Sequence, residues 1–211
     1  MNKVVKLKDS PSLKDLLAVN YQVYGVSNDR DFSTWEIYSN QEKFLMRALK
    51  GVRKGDLAKL KNNLLITVSW FCSLMNRLHV DLESAIWERF PYKCSYCAQC
   101  PCACGILKPR KRPLEIIPSQ KQPKRIRGYQ DMFAQIFPIE KKTLVEATLH
   151  LAEEHGELSE AIQVYSGSHR DKSFQEIRGE AADYFSCICG VCNRANFDLE
   201  QEMKNNQPLH L

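Results

Sequence analysis

The sequence predicts an all-α protein. Three observations carry that prediction. Apolar residues recur near the 3.6-residue period in both halves, no segment sustains the period-two alternation of a strand, and four of nine prolines fall in one stretch, residues 105–128. With 211 residues, 44% hydrophobic and 26% charged, the chain can bury a core without disulfide help and has neither a disordered nor a collagen-like composition. The longest apolar run, residues 64–75, spans twelve positions and is broken by Thr67, Ser69 and Ser73. A bilayer crossing needs roughly twenty, so this run reads as a buried helix and no membrane partner is expected. The first twelve residues carry lysines without an apolar core, so no secretory signal is expected and the expected location is cytoplasmic.

In chain order, helices are expected near residues 12–24, 33–50, 55–78 and 82–90. Residues 105–128 contain Pro109, Pro113, Pro118 and Pro123 among scattered Lys and Arg, a composition that cannot sustain a helix. They read as a linker, either a solvated spacer or an arm that binds phosphate or a partner through clusters such as residues 108–112. In the second half, Leu144, Val145, Leu151, Leu158, Ala161 and Ile162 set a helix near 142–165. Another is expected near 173–195, with Ser166, Gly167 and Ser168 as the stop between them.

Net charge is +5 for the chain, but it divides into +5 for residues 1–104, +7 for 105–128 and −7 for 129–211. The basic balance sits in the first half and the linker, while the last third is an acidic unit suited to holding cations. Nucleic acid is therefore not the expected partner.

The two halves resemble each other. A shift of 117 positions places Ser69 on Ser186, Cys72 on Cys189, Asn76 on Asn193 and Arg77 on Arg194. It also places Asp81, Leu82 and Glu83 on Asp198, Leu199 and Glu200. Seven identities in fifteen positions compare with about one by chance, which indicates an internal duplication. In each copy a long apolar helix ends in a short turn and an Asp placed to cap the next helix.

The copies differ where chemistry would be done. Glu153, Glu154, Glu157 and Glu160 crowd one helix of the second copy, and Glu154 and Glu157 share a face. Glu180 and Asp183 repeat that spacing on the next helix among Ala181, Ala182, Tyr184, Phe185 and Ile188, an apolar setting in which unpartnered carboxylates are costly. If the two helices pack antiparallel, Glu154, Glu157, Glu180 and Asp183 converge in one cleft that a compensating cation stabilises. An all-oxygen set selects a hard ion, magnesium or manganese. The first copy has Asn63 and Ile66 at the positions of Glu180 and Asp183 and keeps only Glu36 and Glu42 on its earlier helix, so it lacks the metal-binding set.

Five of nine cysteines fall in eleven residues, Cys94, Cys97, Cys100, Cys102 and Cys104. In a cytoplasmic chain this density points to metal, and any four thiolates supply a structural zinc site. The subset 94, 97, 100 and 104 also has iron–sulfur spacing, though Gly105 stands where a proline is usual; reduced thiols or a redox switch are the other readings. Cys72, Cys187, Cys189 and Cys192 read as small core residues. His150, His155 and His169 read as solvent-facing, and Tyr129, Phe133, Phe137 and Tyr165 as core in preference to base-stacking residues.

Glu154-x-x-Glu157, then Glu180-x-x-Asp183, then Asn193-Arg194 and Asp198-Leu199-Glu200 resemble the MazG-like all-α nucleoside triphosphate pyrophosphohydrolases. The resemblance covers residues 129–204, with a degenerate version over 12–92. It implies magnesium-dependent hydrolysis of a nucleoside triphosphate between the α and β phosphates, giving the monophosphate and pyrophosphate. By the same resemblance Glu154, Glu157, Glu180 and Asp183 hold the metal. The family builds its cleft from two helical units supplied by dimerisation, and this chain contains both. The expected plan is an intramolecular pseudo-dimer of a non-catalytic repeat at 1–92, a cysteine-rich segment at 93–105, a linker at 106–128 and a catalytic repeat at 129–211. A further homodimer is compatible with it. Glu153 or Glu157 would orient or deprotonate the attacking water. Lys172, Arg178, Asn193 and Arg194 are candidates for phosphate or sugar contact, with Arg178 and Arg194 equally readable as surface charges. Two rival functions remain: a nucleotide- or metal-sensing module without turnover, and a nucleic-acid adaptor using the cysteines and the basic linker.

Overall fold

Local capping signals start most of the helices. Ser12, Ser33 and Thr143 each accept from the backbone N–H three residues on, while Asp15, Glu36 and Glu146 accept from the cap's own N–H. Asp56, Asp81 and Asp198 cap three more through side-chain oxygens. The resulting helices are α1 (Leu13–Asp31), α2 (Thr34–Arg53), α3 (Leu57–Arg77), α4 (Leu82–Arg89), α5 (Ile126–Ile136), α6 (Leu144–Ser168), α7 (Asp171–Arg194) and α8 (Leu199–Asn205). The computed structural model describes residues 6–107 and 119–206; among these there is no strand, as expected for an all-α chain. Most of the expected linker, residues 108–118 with Pro109, Pro113 and Pro118, lies outside them, as do residues 1–5 and 207–211. No helix among the described residues is long and apolar enough to cross a membrane.

Three boundaries differ from expectation. α1 continues to Asp31 because Gly25 is accommodated inside it, buried against the Tyr21 ring, and the chain turns extended only at Phe32. α6 runs through Ser166, Gly167 and Ser168 and stops at His169, which adopts the left-handed conformation and donates its N–H to the Tyr165 carbonyl. α5 had no counterpart in the expected helices. It begins at Ile126, inside the segment read as linker, and places Ile126, Tyr129, Met132, Phe133 and Ile136 in the core. Tyr129 and Phe133 are thus core residues, Phe137 packs against the core, and Tyr165 packs on Phe174.

α2 and α3 form one hairpin and α6 and α7 another, each closed by a short connection that leaves its helices antiparallel. Gly51 permits the first: a Cβ there would lie 2.6 Å from the Leu60 backbone nitrogen. α1 and α5 pack on α3 and α7, and the halves meet where α2 lies along α6 and α4 along α7. α3 and α7 are central. Phe71 of α3 meets Tyr184 of α7 at 5.1 Å between centroids, and Phe90 reaches Phe133 at 5.2 Å. Each such ring, fully buried, contributes about 1.5–3 kcal/mol by the area it removes from water.

The turn after α3 and the turn after α7 match bond for bond. His79 and Asn196, 117 positions apart, are both left-handed, with φ of 54° and 55°. Leu78, His79 and Val80 donate to Leu74, Asn76 and Met75; Ala195, Asn196 and Phe197 donate to Val191, Asn193 and Cys192, the same three bonds at the same offset. Asn76 donates to the Leu17 carbonyl of α1 and Asn193 to the Gln130 carbonyl of α5. Arg77 clasps the carbonyls of Asn28 and Phe32, and Arg194 those of Pro138 and Lys142.

Candidate functional site

The hairpin of α6 and α7 brings together carboxylates from residues 154–180. Glu154 and Glu157 sit one turn apart on α6, Glu180 faces them from α7, and one oxygen of each lies within 4.8 Å of the others. Oxygens on a single magnesium ion lie about 3 Å apart when adjacent and about 4 Å when opposite, the range into which the 4.8 Å limit of this group extends. The Glu154 side chain is only 12% exposed. Its Oε2 and the Oε2 of Glu180 are buried without a hydrogen-bond partner. Buried acceptors without partners are costly, and these two belong to carboxylates of the same group. Burial, and next the adjacent Asp183 carboxylate, push the Glu180 carboxyl up to about 7. Burial and the Glu154 and Asp183 charges also raise Glu157, which is exposed at the rim.

Asp183 is differently engaged. Its two oxygens accept from Nε and an Nη of Arg89, the last residue of α4, in a fork pair whose side chains are 18% and 14% exposed. It therefore lies outside the three-carboxylate set with an ionic partner of its own. Arg89 crosses Gly179, where an added Cβ would come within 3.3 Å of the guanidinium. The first half thus contributes a charged side chain to the cluster as well as scaffold, which sequence spacing could not reveal across 94 positions.

His150 also borders the site. Its Nε2 lies 3.1 Å from Glu154 Oε1, and its Nδ1 lies 3.4 Å from the Cys187 sulfur. His155, read as solvent-facing, is instead 3% exposed, and burial pushes its pKa down to about 4. Its position, four residues after Leu151 and three before Leu158, falls on the apolar stripe of α6, the signal that marks it for burial. Cys72, Cys187, Cys189 and Cys192 are buried, as expected, and burial raises their thiols.

The remaining site candidates separate clearly. Glu153 is exposed and outside the carboxylate set. Lys172 is exposed in the first turn of α7. Arg178 donates to Gln175 and to Glu88 of α4. Asn193 is bonded to Gln130, and Arg194 donates to the carbonyls of Lys142, Gly190 and Pro138. These last two side chains clasp α5 and the loop after it, a structural use of the positions expected to contact substrate.

Four of the five clustered cysteines converge: Cys94, Cys97, Cys102 and Cys104 form a group that can hold a metal such as zinc. Cys100 is exposed and outside it, which corrects both the expectation that any four would serve and the iron–sulfur subset that needs Cys100.

No known protein family matches the chain, and neither does any curated protein or solved structure.

Proposed function

We propose that this chain is a MazG-like nucleoside triphosphate pyrophosphohydrolase, a cytoplasmic enzyme built as an intramolecular pseudo-dimer whose second repeat carries the cleft. The observation that supports it most is the meeting of Glu154, Glu157 and Glu180 across the α6–α7 hairpin with two buried oxygens left unpartnered. The matched turns after α3 and α7 support the duplication. At the positions of Glu154, Glu157, Glu180 and Asp183 the first repeat has Ile37, Asn40, Asn63 and Ile66, a set without a single carboxylate to offset a cation's charge.

Glu154, Glu157 and Glu180 would hold magnesium or manganese, which when bound supplies positive charge against the triphosphate and polarises the attacking water. Glu154 is anchored by His150, so its orientation is set before substrate arrives. Glu157, exposed at the rim with a raised pKa, is the better placed of the two general-base candidates. Arg89 offers guanidinium donors beside the cluster; a phosphate that draws them away from Asp183 frees that carboxylate for the cation. Lys172 remains open to solvent for phosphate contact.

One observation favours a second reading. The Arg89 pair neutralises Asp183, the arrangement expected of a sensing module that binds nucleotide or metal without turnover. Incubation with a panel of nucleoside triphosphates and magnesium, with pyrophosphate release assayed beside a Glu157→Gln, Glu180→Gln double variant, separates the readings. The enzyme releases pyrophosphate and the variant does not. Magnesium-dependent nucleotide binding without release from any nucleotide overturns the hydrolase in favour of the sensor.

A further inference from the structure

Between α4 and residue 107 the chain folds back on itself in a small knuckle. Tyr92 and Ala98 take left-handed conformations, with φ of 56° at each. Cys94 donates to the Gln99 carbonyl and Ala98 to the Cys94 carbonyl, which closes the loop carrying Cys94 and Cys97. The returning chain brings Cys102 and Cys104 against them.

The sulfur geometry is that of a tetrahedron's edges. Cys94 and Cys104 sulfurs lie 3.5 Å apart, Cys97 and Cys102 sulfurs 4.0 Å, and all four lie within 4.8 Å of one another. Four thiolates at about 2.3 Å from one zinc ion have S···S edges of about 3.8 Å. A disulfide needs about 2.05 Å, and all four are free thiols. The backbone N–H of Tyr96 points at the Cys94 sulfur at 3.5 Å and that of Ala103 at the Cys97 sulfur at 3.3 Å. Such donors stabilise negative sulfur, the form in which cysteine binds metal. A full thiolate set leaves no open position, so the site is structural.

Its place in the fold gives it a task. The Cys102 N–H donates to the Ile136 carbonyl at the end of α5 at 2.7 Å, and Lys141 donates to the Cys102 carbonyl. At the other end the knuckle continues directly from α4, whose last residue is Arg89, and Tyr92 packs edge-on to Trp87. We infer that Cys94, Cys97, Cys102 and Cys104 bind one zinc ion that fastens the end of α4 to the end of α5, and so holds Arg89 in place across the junction of the two halves. This inference does not rest on the hydrolase reading.

Elemental analysis of the full-length protein, purified reduced and without chelator, tests it. About one zinc per chain is expected, retained in Cys100→Ser and lost in Cys97→Ser. Should Cys97→Ser fail to fold, the wild-type protein serves: an organomercurial titration releases the zinc as the four cluster thiols react after the exposed Cys100, and cobalt in its place gives the visible spectrum of a tetrahedral tetrathiolate. Absence of zinc, iron in its place, or loss of zinc in Cys100→Ser overturns the assignment.

Discussion

The Tyr38 ring lies flat on the His155 ring, with centroids 4.3 Å apart and planes 7° from parallel, and its hydroxyl donates to the His155 carbonyl at 3.0 Å. The two residues are 117 positions apart, the same offset that superimposes the repeated turns. Equivalent residues touching each other is the signature of an isologous contact, as at the two-fold axis of a homodimer. In the pseudo-dimer proposed above, that contact would be internal to one chain. Tyr38→Ala should destabilise the fold by about 3–5 kcal/mol through the cavity it leaves, and Tyr38→Phe by about 1 kcal/mol through the lost hydrogen bond. Urea unfolding measures both, and near-neutral values for both would remove the α2–α6 contact from the account.

The same pair makes stability depend on pH. Burial holds the His155 pKa at about 4, below its ordinary value of 6.5, so between these limits the unfolded chain takes up a proton that the folded chain refuses. Stability therefore falls as pH drops from about 6.5 to about 4, by up to about 3 kcal/mol from this residue. His155→Gln should flatten the profile in that window relative to wild type. Parallel profiles for the two proteins would contradict the burial.

Arg89 and Asp183 form a nearly buried ion pair across the α4–α7 contact. Arg89→Met leaves a buried carboxylate unpaired and should destabilise by about 3–5 kcal/mol in the absence of divalent ions. Magnesium should restore more stability to that variant than it adds to wild type, because Asp183 becomes available to the cation. Thermal unfolding with and without magnesium gives the comparison, and an equal magnesium effect in both proteins would show that Asp183 does not face the cation.

Arg194 serves three carbonyls. Its replacement by Ala should cost about 1–3 kcal/mol of stability by leaving the Pro138 and Lys142 carbonyls of the loop after α5 without this donor, while leaving the KM for any nucleotide substrate unchanged. A large rise in KM at unchanged stability would return Arg194 to the substrate.

The elements legible in the sequence are those with strong local causes. The helices α2, α3, α4 and α7 lie within a few residues of expectation because caps such as Ser33, Asp56 and Asp81 and long apolar stripes mark them. Glu154, Glu157 and Glu180 were legible because spacing on a helix decides which side chains share a face. What escaped depends on distant partners. The short helix α5 follows a proline-rich segment, and its apolar stripe earns burial only against α7 and α8. Arg89 finds Asp183 through tertiary packing, and Cys100 is excluded from its cluster by the path of a loop, which spacing alone does not encode. Asn193 and Arg194 sit where substrate contacts were expected, yet their donors close a turn that recurs in both halves.

A manganese titration of the protein, with free ion followed by its electron paramagnetic resonance signal, tests the carboxylate site most directly. The carboxylate set of Glu154, Glu157 and Glu180 predicts saturable binding that the Glu157→Gln, Glu180→Gln variant loses while Cys97→Ser retains it. Equal manganese uptake by the wild type and the carboxylate variant would contradict it.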